Sequence, residues 1–174
     1  MGNSNSPLLS TKERADPARY VTEVRLKRIQ ELHVSSAAVA SLIISKAANM
    51  PAVRCIVFLG DIPVAVQVDV ARHLGKLRSV TAVVFRGCPP TDALLDAVLR
   101  LPCLASLQIE HLRLSQPAAH LLLASLRQIS GQRRSSILLR LNSVTLPADV
   151  QLTVLAQAAG DRCEMINMAD TTTM

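Results

Sequence analysis

The side chains with the widest chemical repertoire in this 174-residue chain are four cysteines, Cys55, Cys88, Cys103 and Cys163, and four histidines, His33, His73, His111 and His120. A tetrahedral metal site draws its ligands from short spacings such as C-x-x-C. The cysteines form no such pair and have no partnering histidine cluster, which argues against both a zinc site and a small disulfide scaffold. They read as reduced core thiols. A serine nucleophile would need a G-x-S-x-G elbow, a phosphate cradle G-x-x-x-x-G-K-[ST], and a zinc hydrolase H-E-x-x-H. None of these motifs occurs, and six glycines leave no glycine-rich cradle. His73 and His120 fall on expected helices. His111 follows Glu110 at an expected strand-to-loop edge, where a Glu-His pair without a nucleophile is more often a recognition contact than a catalytic base. The expectation is a non-enzymatic chain with no cofactor, no metal and no small-molecule substrate.

Composition narrows the alternatives. Hydrophobic residues make up 49% of the chain and charged residues 18%, which fits one globular domain with an ample core and excludes a disordered tail. Tyr20, Phe58 and Phe85 are the only aromatics, too few to stack single-stranded nucleic acid or to line a ligand pocket. The net charge of +6 is concentrated in an acid-free stretch between Glu110 and Asp149. Arg113, Arg127, Arg133, Arg134 and Arg140 lie there. Such a basic patch offsets a helix C-terminal dipole or meets an acidic protein or an anionic membrane surface; duplex nucleic acid is the weakest option, since no recognition helix accompanies it.

No stretch reaches the ~18 apolar residues of a spanning helix, and MGNSNSPLLS has neither the basic start nor the apolar run of a secretory signal, so a cytoplasmic location is expected. The same residues fit M-G-x-x-x-[ST], which makes Gly2 a candidate for N-myristoylation and peripheral membrane attachment.

The elements that would position any site follow an internal repeat. Val80, Val83, Phe85 and Cys88 stand in V-x-x-V-x-F-x-x-C, and Leu104, Leu107, Ile109 and Leu112 repeat the frame in the next unit. Upstream, Val53, Ile56 and Phe58 fill its first three apolar positions, and Val21, Val24, Leu26 and Ile29 fill all four. Downstream, Leu139, Leu141 and Val144 take it up, and Cys163, Met165 and Met168 form a weaker terminal copy. Helical spacing follows each copy, as in Val66, Val70, Leu74 and Leu77. Thr91, Ser115 and Pro147 mark helix starts, and Gly131 and Gly160 mark stops. The expected strands lie near 22–28, 53–59, 80–86, 104–110 and 137–142, with helices near 36–48, 64–78, 92–101, 116–130 and 148–159.

The L-x-x-L-x-L-x-x-C/N frame with a full return helix resembles the leucine-rich repeat family, in a divergent form of the ribonuclease-inhibitor-like subtype. The resemblance implies an α/β solenoid with parallel strands on a concave face, helices on the convex face and a protein-binding role. It covers residues 21–168, with 1–20 as a flexible tether and 169–174 as a tail. The family's ninth-position Asn or Cys appears only as Cys88; Ile29, Asp61, Leu112, Val144 and Met168 stand at the matching positions. The competing architecture is a doubly wound α/β domain, in which the strand order reverses in mid-sheet.

Alternation along each strand sends the third, fifth and seventh frame positions away from the core. Reading across gives Glu23/Arg25/Lys27, Cys55/Val57/Leu59, Ala82/Val84/Arg86, Ser106/Gln108/Glu110 and Leu138/Arg140/Asn142. An apolar stripe of Val57, Leu59 and Val84, with Arg86, Gln108, Glu110 and Arg140 around it, is the expected protein-binding surface. The expected role is an adaptor, tethered to a membrane through Gly2. Three alternatives stand beside it: a subunit whose stripe is permanently buried in an assembly, a cover for the stripe supplied by the N-terminal segment, and, weakest, a small α/β enzyme of unrecognised type.

Overall fold

The computed structural model describes residues 26–131, 137–160 and 163–166. Within them, strand and helix alternate: β1 (Glu31–Val34), α1 (Ala37–Lys46), β2 (Cys55–Leu59), α2 (Val64–Leu74), β3 (Ala82–Arg86), α3 (Asp92–Leu99), β4 (Ser106–Arg113), α4 (Gln116–Gly131), β5 (Leu138–Thr145), α5 (Leu152–Ala159) and β6 (Cys163–Ile166). All six strands pair in parallel, and their spatial order is their chain order. The order never reverses, so the crevice of a doubly wound sheet is absent among the described strands. Neighbouring helices also pack in chain order.

The repeat frame sets the pairing register. Ile56, Val83, Leu107 and Leu139 stand opposite one another from strand to strand, as do Phe58, Phe85, Ile109 and Leu141. All eight belong to one buried cluster with Val70, Leu94, Leu95, Leu122 and Leu155 of the helices. A lone strand-helix unit cannot bury its apolar face, whereas consecutive units bury one another's. Phe58 and Phe85 stack at 5.1 Å between ring centroids and 14° between planes.

The expected first copy of the frame is displaced. β1 begins at Glu31, not near residue 22, and Leu32 and Val34 pair with Ile56 and Phe58. Backbone bonding gives the reason. At the entries of the first three strands one carbonyl accepts two N–H groups from the next strand: Gln30 from Arg54 and Cys55, Arg54 from Thr81 and Ala82, Thr81 from Ala105 and Ser106. Gln30 therefore occupies the same place in its unit as Arg54 and Thr81 do in theirs. Ile29 fills the first frame position, not the ninth, and is fully buried. Lys27 falls in a turn before β1 rather than on the sheet, and Glu23 and Arg25 lie outside the described residues. Ile29, Leu32 and Val34 repeat the apolar spacing of Val21, Val24 and Leu26 eight residues later, so the pattern alone does not fix the frame there.

Two devices hold the loops where the strands end. One backbone position is left-handed in four consecutive units: Gly60 (φ 68°), Gly87 (φ 57°), His111 (φ 52°) and Ser143 (φ 52°). The other is Gln67, buried on α2, whose Nε2 donates to the carbonyls of Ile62 (3.0 Å) and Pro89 (3.2 Å) while its Oε1 accepts from Thr91 N (2.8 Å). Gln67 thereby ties the loop after β2 to the loop after β3. Helix starts follow the expected caps: Thr91 Oγ1 accepts from Leu94 N and Ser115 Oγ from Ala118 N. Pro147 opens a turn, not the helix itself, and α5 begins at Leu152. In that turn Asp149 is drawn towards α4 by Gln116 (2.8 Å) and His120 (3.1 Å).

Candidate functional site: the open face of the sheet

Parallel pairing in one register brings the outward alternates of every strand into rows. From β1 to β6 they are Glu31 and His33; Cys55, Val57 and Leu59; Ala82, Val84 and Arg86; Ser106, Gln108 and Glu110; Leu138, Arg140 and Asn142; and Glu164. The rows from Cys55 to Asn142 are the residues expected from alternation; the first row differs, and Glu164 is added by the register of β6 with β5. No described helix contributes to this face, because the helices bury their apolar sides against the other one.

The face has two chemistries. Across β2 and β3 it is apolar, with Leu59 and Val84 half-buried. Val57 departs from expectation: it is only 6% exposed, closed in by His33 and Val84, its register partners on either side. The exposed stripe is therefore narrower than the sequence implied. His33 stands on a strand, although it precedes the expected helix, and it hydrogen-bonds Glu31 two residues back.

From the end of β3 to β6 the face is charged and internally paired. Arg86 Nε donates to Glu110 Oε2 at 2.5 Å, and Gln108 Nε2 donates to Glu110 Oε1. Glu110 thus spends both oxygens within the face. Its side chain is 7% exposed against 54% for Arg86. The hydrogen bond from Arg86 is the largest influence holding the Glu110 carboxyl below the ordinary carboxylate range; burial acts against it and loses. Arg140 forms a second pair with Glu164 at 2.6 Å. Arg86 and Arg140 are accordingly bonded members of the face. Each reaches an acid one repeat further along the chain, so aligning the polar columns of the repeat is the signal that finds both pairs.

Nucleophilic chemistry finds no support in the cysteines. Burial raises the Cys55, Cys88 and Cys163 thiols above their usual range, and Glu31 raises Cys55 further. Cys88 is fully buried as expected, Cys55 and Cys163 are half-buried, and Cys103 is exposed in a loop and so is not a core thiol. Among the described residues no group of three metal-ligating side chains comes together.

The acid-free stretch is dispersed by the fold. Arg113 ends β4 at the sheet's C-terminal edge, Arg127 lies in the second half of α4, and Arg140 is on the open face. Arg133, Arg134 and Gly2 lie outside the described residues. Among the described residues no helix is long and apolar enough to cross a membrane. No protein-family model, no curated protein and no solved structure matches this chain.

Proposed function

We propose that the chain is a divergent leucine-rich repeat solenoid that works as a non-enzymatic interaction module, binding a protein through the open face of its sheet. One observation carries the reading: a half-buried apolar strip, Leu59 and Val84 over Val57, on a face that no described element packs against. The sequential strand order and the frame shared from β1 to β6 support the repeat assignment. The raised cysteine thiols and the engagement of Glu110 with Arg86 and Gln108 support binding over catalysis. The acyl anchor at Gly2 and peripheral membrane attachment belong to the same proposal.

The test is affinity capture from native cytosol and membranes, repeated with Leu59→Asp. A buried interface anchor is worth ~2 kcal/mol or more, about 30-fold in affinity, so the variant should lose its partner while melting close to wild type. If Leu59→Asp unfolds, the strip is core. If the chain alone is aggregated and becomes soluble only with a fixed companion, the structural-subunit reading replaces this one. For Gly2, an intact mass from a eukaryotic host without the acyl adduct removes the anchor.

A further inference from the structure

We infer that the partner presents a carboxylate beside an apolar side chain, the carboxylate taken by the outer edge of Arg86 and the apolar group resting on Leu59 and Val84. This rests on the binding reading above and deepens it by naming the partner's chemistry.

The argument begins with where the donors of Arg86 go. A guanidinium carries five N–H donors in a fixed fork. Arg86 uses Nε on Glu110, and no described residue accepts from Nη1 or Nη2. The acid of the pair is hidden and the base is shown, at 7% and 54% side-chain exposure. An approaching molecule therefore meets the cationic end of a pair whose overall charge is zero. The two Nη groups offer the parallel N–H geometry that matches a carboxylate bidentately.

Position supplies the apolar half. Arg86 stands directly opposite Leu59 in the β2–β3 register and two residues beyond Val84 on the same strand face. Its other register partner is Glu110. An acid at Arg86 thus brings its neighbouring side chain over the apolar strip of β2 and β3. The remaining acids of the described face are occupied elsewhere, Glu31 with His33 and Glu164 with Arg140, and do not oppose an incoming carboxylate at Arg86. Glu110 also holds the guanidinium in one orientation before binding, which lowers the ordering cost of recognition.

A random peptide display library selected on the full chain supplies the probe. Recovered peptides are measured against wild type, Leu59→Asn, Arg86→Gln and Arg86→Lys. Peptides whose binding Leu59→Asn weakens are the ones that use the open face. They should carry Asp or Glu next to, or one position removed from, an apolar side chain. Arg86→Gln should weaken them tenfold or more, and Arg86→Lys nearly as much, because an ammonium lacks the fork. Replacing the peptide's own acid by its amide should cost the same factor on wild type and little on Arg86→Gln. That arm leaves the protein untouched, so it stands even if a variant folds poorly. Open-face peptides that lack an acid, or that ignore both Arg86 variants, overturn this inference and leave the docking reading intact. A selection whose peptides all ignore Leu59→Asn, or that enriches nothing over a control protein, overturns both.

Discussion

β2 and β3 on one side, and β4 and β5 on the other, solve the same backbone problem with different residues. In the first pair the left-handed position is Gly60 and Gly87, the strands are five residues long, and prolines follow at once. In the second it is His111 and Ser143, and the strands continue to eight residues, so that Leu112 pairs with Val144 and Arg113 with Thr145 beyond the kink. The extra hydrogen bonds of the longer strands, such as Leu114 N to Thr145 O at 3.0 Å, offset the strain of a side chain at positive φ. Glycine is needed where the strand ends; it is dispensable where the ladder resumes. The open face divides along a similar line, apolar over β2 and β3 and ion-paired from Arg86 onward.

The largest effect that would break this contrast lies in the core. Phe58 and Phe85 are the aromatic members of a register row that continues as Ile109 and Leu141. Phe85→Ala should cost about 4 kcal/mol in urea unfolding. The Phe58→Ala, Phe85→Ala double variant should fall short of the summed losses by about 1 kcal/mol, the worth of the stack. Full additivity would mean that the two rings act as separate fillers.

Next in size is Gln67. The matching helix positions of the next two units hold Leu94 and Ala118, so the glutamine staple belongs to the first half alone. Gln67→Leu strands the Ile62 and Pro89 carbonyls and the Thr91 N–H, and should cost about 2–3 kcal/mol. Hydrogen exchange should rise in the two loops it joins before it rises in β4 or β5.

Glu110→Gln probes the charged half. Because the folded carboxyl titrates below its ordinary range, its contribution is present at pH above that range and is lost as pH falls through the depressed value. The variant should lose about 1–2 kcal/mol at neutral pH. The gap to wild type should close as pH drops below about 4. A gap that stays constant into acid would show that packing, not charge, holds the site.

The smallest effects sharpen the backbone comparison. His111→Gly should raise stability by ~0.5–1 kcal/mol through relief of the left-handed conformation, and Gly87→Ala should lower it by ~1 kcal/mol. Space is not the obstacle at Gly87, where an added Cβ would meet only the His111 carbonyl oxygen at 4.0 Å. The measured cost would therefore report φ alone.

Much of the sheet is legible because a parallel array writes its register into sequence offsets. Val83, Phe85, Leu107, Ile109, Leu139 and Leu141 are expected in the core from the shared frame, and each is fully buried. The outward rows from Cys55 to Asn142 are legible by the same alternation. The first unit misleads because Val21, Val24 and Leu26 share their spacing with Ile29, Leu32 and Val34, and only the carbonyl of Gln30 distinguishes the two frames. The pairing of Glu110 with Arg86 and Gln108 is invisible to a frame built on apolar positions, since it lies in the polar columns between them. Burial of Val57 depends on neighbours in two other strands, which no single-strand pattern contains. Gln67 carries no local signal at all: its partners, Ile62, Pro89 and Thr91, are backbone groups in separate loops.

The nearest-neighbour layout has a consequence for how the molecule comes apart. Each described strand pairs only with the strands before and after it, and each helix packs mainly on its sequence neighbours. Loss of an end unit removes one interface and leaves the others in place, so opening propagates inward like unzipping, one repeat at a time. Among the described strands β1 and β6 have one paired edge each and should exchange their amides first. Arg86, Leu59 and Val84 lie on β2 and β3, flanked by at least one unit on either side. This part of the open face therefore persists through fraying of either end, and the docking proposed for it survives in partly opened molecules.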